Sequence, residues 1–114
     1  MMTFAALTRS TPPNLPLCGS LTKMPDYSRL IGTFPNNANS SYTATEDCWL
    51  IGYMRGPGGG VGGELVINNT RVADSYTGND NYDTNICLFL PKGTVVSNGP
   101  YWNSSSGLNI FGCL

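Results

Sequence analysis

The chain has 114 residues, the length of one compact domain, with six basic and seven acidic side chains and no histidine. Charged residues make up only 11% of it, whereas Gly, Asn, Thr, Ser and Pro together supply 55 of the 114 positions. A net charge of −1 cannot neutralise many phosphates or hold an anionic membrane, and a chain without histidine has no Ser-His or Cys-His catalytic pair.

Such a composition disfavours helix, because these small residues belong in turns, caps and strands. No apolar run approaches the roughly 18 residues of a spanning helix, and MMTFAALTR lacks the basic start of a signal peptide. Residues 1–23, with STPPNLPLCGS, read as an extended Pro-rich connector. Residues 24–114 read as the folded domain.

Short apolar runs then alternate with turn-rich stretches. Leu30 to Phe34 is the first expected strand and Tyr42 to Thr45 the second, followed by a turn at Glu46-Asp47. Cys48 to Arg55 (CWLIGYMR) is the clearest, with aromatic and branched residues that suit a pleated surface. GPGGGVGG at 56–63 is loop. Leu65-Val66-Ile67 and Arg71-Val72-Ala73 flank asparagines that tolerate a tight hairpin turn. SYTGNDNYDTN at 75–85 is a polar loop, and Ile86 to Leu90 is apolar throughout. Thr94 to Ser97 and Leu108 to Leu114 are the last strands, separated by the loop NGPYWNSSSG. About eight strands at such spacing predict an antiparallel β-sandwich.

Cys48 to Met54 and Ile86 to Leu90 do not alternate apolar with polar residues, so both faces of those strands want cover. A domain without helices gains that cover most simply from a second copy of itself, which predicts a homo-oligomer. Cys48, Cys87 and Cys113 sit in apolar segments and read as reduced core thiols, with two disulfides among the four cysteines as the alternative; with Cys18 they show no C-x-x-C pair for zinc.

The chemical motifs are weak. Gly58, Gly60 and Gly63 match G-x-G-x-x-G, but the strand-like ELVI follows where a dinucleotide site needs a helix. Ser20 to Lys23 matches S-x-x-K without the companion motifs of the acyl enzymes. Glu46/Asp47 and Asp80/Asp83 are the carboxylate pairs, and nothing nearby holds one of them protonated for glycoside hydrolysis. Asn79, Asp80, Asn81 and Asp83 lack the calcium-loop pattern. No enzyme activity, metal or cofactor is expected. Sequons at Asn39, Asn68 and Asn103 are expected by chance in so Asn- and Ser-rich a chain.

The aromatic loops carry more. Tyr76 and Tyr82 flank Asn79 and Asp80, and Tyr101-Trp102 precedes Asn103. Rigid rings beside small polar groups suit sugars, stacking on ring faces and bonding hydroxyls. The same rings could instead pin the loops to the sandwich or fill a subunit interface. Tyr76, Asn79, Asp80, Tyr82, Tyr101, Trp102 and Asn103 are the candidate ligand-binding residues.

The succession MPDYSR, YTATEDCWLIGYM, GELVINNTRVA and CLFLPKGTVVS before a closing apolar strand resembles the C-terminal head domains of bacteriophage tail fibres and related receptor-binding proteins. The resemblance spans residues 24–114. Cys48 stands where that family has a small residue before the Trp, and Asn69 where it has a hairpin Gly. The resemblance implies a trimeric, jelly-roll-like head on a virion. Its partners would be two further copies of itself, a host-surface glycan or protein, and another virion protein held through residues 1–23. It implies no nucleic-acid partner and no membrane insertion. A structural virion component, such as a capsid decoration or head-fibre subunit, and a secreted lectin are the alternative readings.

Overall fold

The computed structural model describes residues 23–56, 61–75 and 83–114. The connector at 1–22 and the loop residues Tyr76, Asn79, Asp80 and Tyr82 lie outside the described residues. Among the described residues there are eight strands: β1 (Pro25–Thr33), β2 (Ser41–Thr43), β3 (Cys48–Arg55), β4 (Glu64–Ile67), β5 (Thr70–Asp74), β6 (Asp83–Leu90), β7 (Val95–Asn98) and β8 (Gly107–Cys113). They form two antiparallel four-stranded sheets, ordered β1-β8-β3-β6 and β2-β7-β4-β5. The expected all-β class and the two-sheet architecture are thus present.

The core lies between the sheets. Cys48, Leu50 and Met54 of β3, Leu90 of β6 and Ile110 of β8 meet Leu65 of β4 and Val96 of β7, all fully buried. Strand alternation puts Trp49, Ile51 and Tyr53 on the outer side of the first sheet. Phe89 and Phe111 lie opposite Trp49 on the two neighbouring strands, and Leu30 lies opposite Phe111. An apolar row therefore crosses the whole outer face. Trp49 and Phe89 ring centroids are 5.5 Å apart, and Tyr27 meets Phe111 edge-on at 5.4 Å.

The same alternation corrects the reading of the cysteines. Of the described cysteines, Cys48 alone is buried; its thiol is pushed up to about 11 by burial and stays protonated. Cys87 is exposed on the outer face and Cys113 is half-buried, because both fall on outward positions. All three are free thiols.

β3 has the bounds expected of it. β1 begins at Pro25 rather than Leu30, and β6 at Asp83 rather than Ile86. β1 is an edge strand whose pairing with β8 shifts register twice, so its residues lack a regular period.

The β4–β5 hairpin turns on Asn68 and Asn69, with φ of 51° and 62°. Two successive left-handed residues are what a two-residue turn matching the strand twist requires. Asn69→Gly should remove residual strain and raise stability by about 0.5 kcal/mol, and Asn69→Ala should lower it by about 1 kcal/mol, read from thermal melts.

Candidate functional site

The fold has two distinct ends. At one, the chain enters. Lys23 pairs with Asp47, its carbonyl accepts from the Trp49 indole N–H at 2.6 Å, and Leu114 N–H donates to Met24. The β2–β3 and β6–β7 turns close this end, where Gly93 N–H donates to Ala44 and Lys92 N–H to Asp47. The carboxylates Glu46 and Asp47 are thereby committed to ion pairs, with Arg29 at 2.9 Å and with Lys23. Lys23 and the Lys92 amide hold the Asp47 carboxyl below its usual range.

At the other end, loops converge. Trp102 donates its indole N–H to Asn36 Oδ1 at 2.8 Å, and its ring packs on Phe34 at 5.8 Å. Asn36 in turn donates to the Ser104 carbonyl. Asn103 Oδ1 accepts from the Ser105 amide and hydroxyl at 2.9 and 2.7 Å, closing a local turn. Arg55 forks onto Asp83 at 2.6 and 3.1 Å and reaches Ser105 at 3.1 Å. The β1–β2 and β7–β8 connections, the end of β3 with Gly56, and the start of β6 thus form one surface.

Asn98 is the buried polar anchor beneath it. Its Oδ1 accepts from the Ser40 amide at 2.6 Å, and its Nδ2 donates to the Asn37 carbonyl at 2.8 Å. Asn98→Ala leaves both backbone groups without their partner. It should cost about 2–3 kcal/mol in chemical denaturation and loosen residues 35–40 in hydrogen exchange.

Of the expected ligand-binding residues, Tyr101, Trp102 and Asn103 fall on this surface. Tyr101 alone of the three is strongly exposed. It lines a pocket of about 310 Å³. Val61 and Pro100 complete its apolar lining, Glu64, Arg71 and Asp74 its charged lining, and Gly62 lies between. The Arg71 guanidinium bridges Glu64 at 2.9 Å and Asp74 at 3.0 Å. Glu64 lies against Gly99, where an added Cβ would sit 2.9 Å from its carboxylate. The buried Ser75 hydroxyl, beside Gly63 and next in sequence to Asp74, has no hydrogen-bond partner among the described residues. A hollow of about 240 Å³ between Thr33, Asn36, Ser106 and Asn109 lies on the same side.

Glu64, Arg71 and Asp74 were not visible as a site in the sequence. The signal lies in the hairpin register, which sets Glu64 directly opposite Asp74. Two carboxylates side by side repel unless a cation bridges them, and Arg71 is the cation on the same hairpin. Among the described residues no group of three or more His, Cys, Asp or Glu gathers to hold a metal ion.

Comparisons with protein-family models, with curated proteins and with solved structures find no match.

Proposed function

We propose that this chain is the receptor-binding head of a phage virion protein, a homotrimer that attaches to the host surface through its loop end. The observation that carries this reading is the polarity of the fold. The chain enters beside Asp47 and Trp49, and the loop surface with its aromatic pocket lies at the opposite end. A head on a fibre needs that arrangement, since the N-terminal side leads to the particle and the far end meets the receptor. The two sheet orders, β1-β8-β3-β6 over β2-β7-β4-β5, fit an eight-stranded jelly roll, the double-sheet form of many viral and lectin domains.

Trimerisation is supported by the apolar row of Leu30, Phe111, Trp49 and Phe89. Leu30 is 57% and Tyr27 66% exposed in the single chain. Trp49, Phe89 and Phe111 are half-buried on the same outer face, and an apolar row of this breadth without a cover from the described residues suits an interaction surface. The row is bounded by polar groups, Asn109 next along β8 and the Arg55–Asp83 pair further along β3 and β6. That pattern of apolar centre and polar rim is the anatomy of a protein interface. Three heads on one stem would also multiply a weak site into firm attachment.

Sedimentation equilibrium tests the assembly: a mass three times the 12.2 kDa of one chain is expected, and a stable monomer overturns the reading. Tyr101→Ala tests attachment. A trimer that no longer adsorbs to cells is the expected result, and unchanged adsorption shows that the loop pocket is not the attachment site.

A further inference from the structure

We infer that the Tyr101 pocket selects neutral or amino sugars and rejects anionic glycans. This deepens the attachment reading and rests on it. The argument begins with charge. Among the described lining residues there are one guanidinium and two carboxylates, so the acidic groups outnumber the basic one. An isolated arginine would invite a sialic acid carboxylate or a teichoic phosphate, because its fork matches both. Arg71 is not isolated. Glu64 and Asp74 already occupy it from two sides, and an incoming anion would have to displace one of them and then sit beside both. Like charges at such separation repel even where water screens them.

A hydroxyl-rich neutral ring meets no such barrier. Arg71 holds five N–H donors and spends two on the carboxylates in these contacts. The Glu64 carboxylate has lone pairs left to accept from sugar hydroxyls or from the ammonium of an amino sugar. Hydroxyls both donate and accept, so they can satisfy the mixed set without disturbing the bridge. Tyr101, half exposed, offers a ring face of the kind sugars stack on, and Pro100 and Val61 extend the apolar wall. A volume of about 310 Å³ is at the small end of ligand sites, which span roughly 300–1,000 Å³, so the pocket takes a terminal residue rather than a long chain.

Gly99 supplies an independent handle. A methyl group there would come within 2.9 Å of the Glu64 carboxylate and push it from its place without touching Tyr101. The pocket would then lose one of the two groups that guard Arg71, and Gly99→Ala should shift selectivity toward anionic glycans.

The experiment is a glycan array probed with the full-length trimer. The array carries neutral hexoses, hexosamines, sialylated and phosphorylated glycans. Binding to neutral or amino sugars is expected. Tyr101→Ala and Arg71→Ala, each checked for unchanged mass and melting, should weaken it at least tenfold. Preference for sialylated or phosphorylated glycans overturns the inference, and so does binding to neutral sugars that neither substitution weakens. A trimer that adsorbs to cells yet binds no glycan also overturns it, and leaves the attachment reading standing with a protein receptor. A monomer that adsorbs to nothing overturns the attachment reading itself.

Discussion

Gly52→Ala should be the most damaging single methyl group that can be added to this protein, with a loss of at least about 3 kcal/mol. Gly52 sits in the middle of β3, paired with Ile86 on one side and Leu108 on the other. Its φ is 149°, a conformation that side-chain-bearing residues rarely adopt. A Cβ there would land on the Gly107 carbonyl oxygen, with the Gly107 carbonyl carbon and Leu108 Cα close behind. These are backbone atoms of a paired strand, so no side-chain rotation relieves the clash. The central β3–β8 pairing must part or the chain must shift by a residue. For a domain of this size the loss corresponds to a fall in Tm of about 12 °C or more. Gly93→Ala is the control. Gly93 also has a positive φ, 90°, but an added Cβ meets nothing within 4 Å. That variant isolates backbone strain and should cost about 1 kcal/mol. If the two variants melt together, steric approach at Gly107 contributes nothing and strain alone explains both.

Gly52 also illustrates which parts of the fold the sequence displays. The β3 run is legible at its correct ends because aromatic and branched residues fill both of its faces, and no loop has that composition. The glycine inside it gives no hint of the close approach, since that depends on where β8 lies. The first half of β1 is illegible for a related reason. Pro25 pairs with Cys113 and regular pairing resumes only at Leu30, so Asp26 to Arg29 cross a register shift and carry no strand period. Asp83 and Asn85 look like loop until β3 supplies Arg55 and Tyr53 opposite them. The site divides in the same way. Tyr101 stands out as an aromatic among turn residues. Trp102 stands out equally, yet its indole goes to Asn36 and its ring to Phe34, both more than 60 residues away in sequence. Composition announces an aromatic but not which way it turns. Arg71 looks like any surface cation until the hairpin register sets Glu64 against Asp74.

Trp49→Glu should dissociate the proposed trimer to monomers that keep the β-sandwich. Trp49 is the inner member of the outer apolar row, flanked by Phe89 on β6 and Phe111 on β8. In the isolated chain its outward position lets a glutamate reach water, but the Lys23 carbonyl loses its indole donor and Phe89 its packing partner, so the fold should persist with a loss of about 2 kcal/mol. In the assembly the same carboxylate would be enclosed by the partner's apolar surface. An unpaired buried charge costs several kcal/mol, and a closed trimer repeats that cost at each of three equivalent contacts. Dissociation is therefore favoured far more than unfolding, and the two are separable by measurement. Sedimentation should show the mass fall threefold while the circular dichroism spectrum stays that of the parent. Phe89→Glu should behave alike, because its ring packs at a tilt on the Trp49 indole, with centroids 5.5 Å apart. Val72→Glu is the matched control: Val72 is exposed on β5 in the other sheet, and its charge should leave the trimer intact. The inverse outcome is equally informative. If Trp49→Glu and Phe89→Glu remain trimeric while Val72→Glu dissociates, the subunits meet through the β2-β7-β4-β5 sheet. Glu64, Arg71 and Asp74 belong to that sheet, so their pocket would then face the partner subunit rather than a receptor.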